Sequence, residues 1–181
     1  MISSKNTSIN TTKLPAVYNK IDFELLANFT LVDYGCGRPE TQKLIREHLS
    51  YYNINFVPYD PYWCTEEQNK YALTVLNKGD YNIFVSANVL NVLEDEPLIG
   101  ALGYINMLGK MAYENANWDK HFFISVYEGN GSGIGKISKK DCYQRNEKTS
   151  KYCERLNNFL YMPTWWQTYK GVITNALIYL L

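Results

Sequence analysis

Short apolar segments with the composition of β-strands alternate with amphipathic helical segments along most of the chain. Strands are predicted at residues 29–33, 54–59, 82–86, 121–127 and 172–181. Helices are predicted at 15–27, after Pro39, at 66–76, around 98–111 and around 152–160. This alternation is typical of βαβ crossovers, which place parallel strands in one sheet with helices on its faces. The sequence therefore predicts an α/β fold, a three-layer sandwich with a mainly parallel sheet.

The composition favours one globular domain. A chain of 181 residues with 46% apolar residues is long enough to bury one core. Residues 1–14, mostly Ser, Thr, Asn and Lys, are predicted to be a flexible N-terminal lead-in, and residues 15–181 the single domain. No apolar run reaches the roughly 18 residues of a membrane span, and the first residues lack the apolar block of a secretory signal. We expect a cytoplasmic protein without a membrane partner.

The four cysteines are Cys36, Cys64, Cys142 and Cys153. They are far apart and show no Cys-x-x-Cys spacing, so they match neither a disulfide framework nor a zinc site. We expect reduced thiols and no metal. The formal net charge is zero, which argues against a general nucleic-acid coat protein.

Three polar segments each follow a predicted strand directly. They are Asp33-Tyr34-Gly35-Cys36-Gly37, Asp60, and the run Ser86-Ala87-Asn88-Val89-Leu90-Asn91. In a parallel sheet, ligands bind beyond the carboxyl ends of the strands, so these segments are predicted to form one site. Glycines allow a ligand to approach the backbone, whose free N–H groups are expected to point outward. A carboxylate after the second strand can accept hydrogen bonds from a ribose diol.

Each segment also has a purely structural interpretation. A Gly-x-Gly sequence is often only a tight turn, and an Asp before Pro61 is often a turn former or a helix cap. Asn88 and Asn91 are equally consistent with turn caps. Their common position at successive strand ends favours the binding site.

The three segments resemble the motifs of one family. The run from Leu31 to Gly37 resembles the first motif of class I S-adenosylmethionine-dependent methyltransferases, an acid-x-Gly-x-Gly turn between strand and helix. Tyr59-Asp60-Pro61-Tyr62 resembles the second motif, and residues 80–83 with 86–93 resemble the fourth. The last run is similar to small bacterial and phage methyltransferases. The resemblance covers roughly residues 28–128 and implies a Rossmann-like sandwich.

The resemblance implies S-adenosylmethionine as the cofactor. Gly35 and Gly37 would then line its methionine part, with Asp33 fixing the amino group directly or through water. Asp60 would hold the ribose diol, and Asn88 would lie near the methyl donor. The complete set of implied cofactor-binding residues is Asp33, Tyr34, Gly35, Gly37, Asp60, Pro61, Ala87 and Asn88.

Three departures from the family pattern indicate a minimal version of this fold. Pro39 stands where many members carry a third glycine. The segment between Asp60 and Asp80 is too short for a helix, a strand and a second helix, so the family's third strand is expected to be missing or abbreviated. The usual closing β-hairpin is expected to be reduced to one strand at 172–181.

The methyl acceptor is predicted to be a nucleic acid or a nucleotide. The segment from Lys136 to Arg155 has an excess of basic over acidic residues and interleaved Tyr, Gln and Asn, a mixture that can grip phosphates and stack on bases. A solvated helix face is the alternative. The candidate substrate residues are Asn91, Lys136, Lys139 and Arg145, and no catalytic base is identified.

Other functions stay open. The protein could bind the cofactor without transferring its methyl group, as a sequestering or regulatory subunit that requires a partner chain or an oligomer. A nucleotide-dependent oxidoreductase is disfavoured, because Gly-x-Gly-x-x-Gly requires a third glycine that this chain lacks. The glycine-rich run from Gly129 to Lys136 fails the phosphate-binding loop pattern and is interpreted as a lid or as an ordinary connection.

Overall fold

The computed structural model describes residues 12–114, 119–137, 142–158, 166–169 and 171–175. The helices are α1 (Pro39–Ser50), α2 (Glu66–Lys78), α3 (Asp95–Glu114) and α4 (Thr149–Asn158). The strands are β1 (Thr30–Tyr34), β2 (Asn55–Tyr59), β3 (Ile83–Ala87), β4 (His121–Ser125), β5 (Lys136–Ile137), β6 (Tyr143–Gln144), β7 (Gln167–Tyr169) and β8 (Val172–Thr174). Short 3-10 turns lie at Ala16–Asn19, Glu24–Leu26 and Leu90–Val92.

One six-stranded sheet organises the molecule, with strand order β2-β1-β3-β4-β8-β7. Strands β1 to β4 are parallel, and β8 and β7 continue the sheet in antiparallel fashion. The predicted α/β class with a mainly parallel sheet is confirmed. Strand β2 lies at the edge, as the presence of Pro58 within it predicts.

Both faces of the sheet are covered by apolar layers. On one face, Val32 and Phe84 pack with residues of α2, α3 and α4. On the other, Leu31 and Ile83 pack with α1 and with the segment before β1. Because successive strand residues point to opposite faces, a strand buried on both sides has consecutive buried residues, and this is the pattern of β1, β3 and β4.

The predicted helix at 15–27 is wrong. The segment forms two short 3-10 turns, at Ala16–Asn19 and Glu24–Leu26. The residues that it buries are Val17, Tyr18, Ile21, Phe23 and Leu26. These positions are spread around a helical wheel, so one straight helix could not bury all of them against the sheet. Leu25, placed on the apolar stripe by its spacing, is 60% exposed.

Of the two truncations expected in the sheet, one is present and the other is not. Between β2 and β3 the chain forms α2 and no strand, so the family's third strand is absent, as predicted. The closing part is a hairpin rather than one strand: β7 pairs with β8 in antiparallel fashion, with Tyr169 opposite Val172. Residues 176–181 of the predicted last strand lie outside the described residues.

Candidate active site

A cavity of about 940 Å³ opens at the carboxyl ends of β1, β2 and β3. The chain leaves β1 toward β2 on one side and leaves β3 toward β4 on the other, so the cavity lies at the switch point of the sheet. All eight residues predicted to hold a cofactor line it. They are Asp33, Tyr34, Gly35, Gly37, Asp60, Pro61, Ala87 and Asn88, and Asn91 lines it as well.

The glycine turn after β1 is bonded to the end of β2. The N–H groups of Gly35 and Cys36 both donate to the carbonyl of Tyr59, at 2.7 and 3.1 Å. The Gly37 N–H donates to Asp60 Oδ2 at 3.0 Å. The expectation that these N–H groups are free for a ligand is therefore wrong. Their role is to fix the turn and the second strand end relative to each other.

Gly35 allows two strand ends to approach closely. Its φ is +91°, in the left-handed region that favours glycine, and a Cβ at this position would overlap the side chain of Val89, after β3. Asn88 also has a positive φ, of 59°, and its N–H donates to the carbonyl of Ser125 at the end of β4. The turns after β1 and β3 thus pack against each other where they line the cavity.

Asp33 is the most strongly perturbed acid of the site. It is 1% exposed, and Tyr18 donates a hydrogen bond to its Oδ2 at 2.7 Å. The other oxygen, Oδ1, is buried and has no hydrogen-bond partner. Burial raises the pKa of Asp33 to about 7; the Tyr18 hydrogen bond opposes this shift, and the charge of Asp60 adds to it. The unpartnered Oδ1 of Asp33 can accept a hydrogen bond from a cationic ligand group.

Asp60 caps the turn that follows β2. Its Oδ1 accepts hydrogen bonds from the N–H groups of Tyr62 and Trp63, at 2.9 and 3.2 Å, and its Oδ2 accepts the one from Gly37. The structural interpretation, a turn-forming Asp, is therefore correct. The carboxylate still lines the cavity, and the ribose role stays a prediction for its remaining lone pairs.

Aromatic rings cover the part of the cavity near β2. Tyr34 and Tyr59 stack with their ring centroids 4.7 Å apart, and both line the cavity. Burial raises the pKa of both phenols, so both rings stay neutral. Tyr62 and Trp63, after Asp60, also line it. This wall can accept a flat, neutral ring.

The segment before β1 supplies residues that sequence reasoning did not select. Lys13, Leu14, Pro15 and Ala16 line the cavity. Among the described residues that line it, Lys13 is the sole Lys or Arg, and Asp33 and Asp60 line the same cavity. No motif marks this lysine, and its place follows from Val17 and Tyr18 packing on the sheet.

The segment after β4 folds back over the cavity. Asn91 Oδ1 accepts from the N–H of Tyr127, and Asn91 Nδ2 donates to Gln144 Oε1 at 3.2 Å. Gln144 Nε2 in turn donates to the carbonyl of Tyr127. Tyr127 and Gln144 also line the cavity, whereas the run from Gly129 to Lys136 between them, interpreted as a lid or a connection, does not.

Of the basic residues predicted to bind the substrate, the two that the structure describes do not line the cavity. Arg145 is buried, and its guanidinium bonds Asp95 at 2.8 Å and the carbonyl of Leu93 at 2.7 Å. Arg145 therefore holds the segment after β6 against the chain that follows the 3-10 turn at Leu90–Val92, and its guanidinium is not free to bind a phosphate. Lys136 is exposed on β5 and does not line the cavity. Lys139 lies outside the described residues.

Within the described parts of the chain, no group of three or more His, Cys, Asp or Glu side chains is arranged to hold a metal ion. None of the helices in those parts combines the length and the apolar character needed to cross a bilayer.

The mainly parallel sheet, its helical layers and the cavity at its switch point define a Rossmann-like α/β fold. A similar solved structure is the 1,6-didemethyltoxoflavin-N1-methyltransferase of Burkholderia thailandensis, with bound 1,6-didemethyltoxoflavin and S-adenosylhomocysteine. The TM-score is 0.54 at 14% sequence identity, over 88% of this chain and 75% of the other. No protein-family model matches the sequence, and neither does any curated protein sequence. The chain thus shares the Rossmann-like fold of this methyltransferase.

Proposed function

We propose that the protein is an S-adenosylmethionine-dependent methyltransferase that acts on a small molecule. The observation that carries the proposal is the single cavity in which Asp33, Asp60, the glycine turn and Asn88 come together. The sequence motifs assign a part of the cofactor to each of these groups. The fold of a methyltransferase that binds S-adenosylhomocysteine supports the same reading.

The residues fit the cofactor in shape and in charge. The buried, unpartnered Oδ1 of Asp33 suits the ammonium group of the methionine part, and Lys13, which lines the same cavity, suits its carboxylate. The aromatic side chains around Asp60 suit the adenine ring. The lining carries two carboxylates and one ammonium, which complements the net positive charge of a sulfonium cofactor.

The cofactor, when bound, supplies an activated methyl group, and the protein's task is to align the acceptor and exclude water. Asn88 and Asn91, after β3, and Tyr127 and Gln144, after β4, would border the acceptor. We propose no catalytic base, because an acceptor with a free lone pair needs only alignment.

A small acceptor fits this cavity better than a nucleic acid does. The cavity volume of about 940 Å³ is near the top of the range for small-molecule sites, about 300–1,000 Å³. The cavity can therefore hold a cofactor with a second small molecule. Arg145 is committed to Asp95, and among the described residues that line the cavity Lys13 is the sole Lys or Arg that could bind a phosphate.

Calorimetry with S-adenosylmethionine and S-adenosylhomocysteine tests the cofactor. We expect both to bind the wild type and Lys136→Ala, the control outside the cavity, and to bind Asp33→Asn at least tenfold more weakly. Absence of binding to the wild type would contradict the proposal.

Methyl-labelled cofactor, incubated in turn with a small-molecule extract, nucleic acid and protein, tests the acceptor. Label in the small-molecule fraction is expected. Label confined to nucleic acid would restore the acceptor predicted from the sequence, and binding without transfer to any fraction would favour a non-catalytic cofactor-binding protein.

A further inference from the structure

Two cysteines that are far apart in the sequence meet beside the cavity. Cys36 lies in the glycine turn after β1, and Cys64 lies between Asp60 and α2. Their sulfur atoms are 3.7 Å apart, a contact distance without a bond, and both thiols are free. Cys36 is buried and lines the cavity, whereas Cys64 is half-buried at the surface.

The surroundings of the two sulfurs make them chemically unequal. The contact with Cys36 lowers the pKa of the Cys64 thiol, and Gln42 Nε2, 3.6 Å from Cys64 Sγ, supports the thiolate further. The contact with Cys64, together with burial, raises the pKa of Cys36. Cys64 is thus the more exposed and the more readily ionised thiol, which are the properties of a cysteine that reacts with oxidants.

We propose that Cys36 and Cys64 are a modification site: they form a reversible disulfide that weakens cofactor binding. In the first step the Cys64 thiolate attacks hydrogen peroxide, whose O–O bond breaks to give a sulfenic acid and hydroxide, and the hydroxide takes up the proton released by the thiol to become water. Cys36 sulfur then attacks the Cys64 sulfur, the S–S bond forms, and the hydroxyl leaves as a second water with the Cys36 proton. A dithiol reductant restores both thiols.

The position of the pair connects this oxidation to the cavity. A disulfide bond is about 2.05 Å long, so the sulfurs must approach from 3.7 Å. Cys36 donates its N–H to Tyr59 and is flanked by Gly35 and Gly37, whereas Cys64 donates its N–H to the carbonyl of Asp60. Closing the gap therefore displaces the glycine turn or the Asp60 segment. The effect on affinity rests on the proposed function, whereas disulfide formation does not.

The test oxidises the full chain with hydrogen peroxide and measures two quantities. Mass spectrometry of intact and digested protein is expected to show the loss of two hydrogen atoms and a peptide linked between Cys36 and Cys64. Calorimetry with S-adenosylhomocysteine is expected to show at least tenfold weaker binding, restored by dithiothreitol. Cys64→Ser should form no disulfide and keep the affinity of the reduced wild type, and the matched control Cys153→Ser should respond as the wild type does.

The two readouts separate the possible failures. The absence of a linked peptide, or an equal loss of affinity in oxidised Cys64→Ser, overturns the assignment of the pair. A linked peptide with unchanged affinity overturns its coupling to the cavity. If the reduced wild type binds no cofactor, the proposed function and the coupling fail together, and the mass measurement still decides whether the pair is a modification site.

Discussion

The buried carboxylate of Asp33 makes a prediction in which stability and binding move in opposite directions. Its pKa is raised from 3.8 to about 7, so the folded protein binds this proton more tightly than the unfolded chain does. Stability from this group is therefore fully present below pH 3.8 and is lost as the pH rises through about 7. At about 1.4 kcal/mol per pH unit, the shift corresponds to a cost of about 4 kcal/mol once Asp33 is ionised.

The perturbation is Asp33→Asn, which removes the charge and keeps an oxygen that can accept from Tyr18. Urea unfolding is measured for both proteins at about pH 5 and about pH 8. We expect the wild type to lose about 3 kcal/mol relative to Asp33→Asn between these values, and the variant to be the more stable at the higher pH. The same variant should bind S-adenosylhomocysteine at least tenfold more weakly.

The wild type's affinity for S-adenosylhomocysteine should increase as the pH rises through about 7, because the ammonium group of this ligand favours the ionised carboxylate. Two results would refute the reasoning. Equal pH dependence in the two proteins would mean that Asp33 does not titrate in this range, and undiminished ligand binding by Asp33→Asn would mean that the carboxylate is not a ligand.

Three further substitutions test other parts of the site. Gly35→Ala should lower the unfolding free energy by at least about 2 kcal/mol in urea titrations, because its φ is left-handed and its Cβ would overlap Val89; an unchanged value would contradict this packing. Lys13→Met should weaken S-adenosylhomocysteine but not 5′-methylthioadenosine, which lacks the carboxylate; calorimetry showing equal losses would exclude Lys13 as its partner. Arg145→Met should raise the acceptor KM while leaving the cofactor Kd unchanged, since it releases the loop held to Asp95; a changed Kd would oppose this role.

The local sequence predicts the strands that are buried on both faces, and it predicts the helix α2. Strands β1, β3 and β4 are recognisable because apolar and β-branched residues run without interruption, and α2 because Gly79 ends it in a left-handed conformation. The segment before β1 is misleading because its apolar residues happen to recur at helical spacing while the buried set does not fit one helical face. Gly171 was a missed signal for the hairpin of β7 and β8, since its φ is +78°.

The predicted cofactor residues share one cavity because strand ends are brought together by topology, which the alternation of elements already specifies. Contacts that depend on side-chain direction could not be predicted in this way. The basic excess around Arg145 carries no information that its guanidinium turns inward to Asp95. The contact between Cys36 and Cys64 depends on how the turns after β1 and β2 face each other, and cysteine spacing does not encode this.

Among the described residues no strand lies beyond β2 in the sheet, and the switch point does not need one, because β1, β2 and β3 alone create it. The exposed edge then requires protection, since unpaired N–H and C=O groups on β2 invite another strand. The carbonyl of Tyr59 accepts from Gly35 and so points toward β1, and neighbouring residues of a strand alternate in direction. Pro58 is therefore the residue that points outward, and it has no N–H to offer. The same proline that marks β2 as an edge strand thus keeps the shortened sheet from pairing with another strand at the level of Asp33, its neighbour in the register.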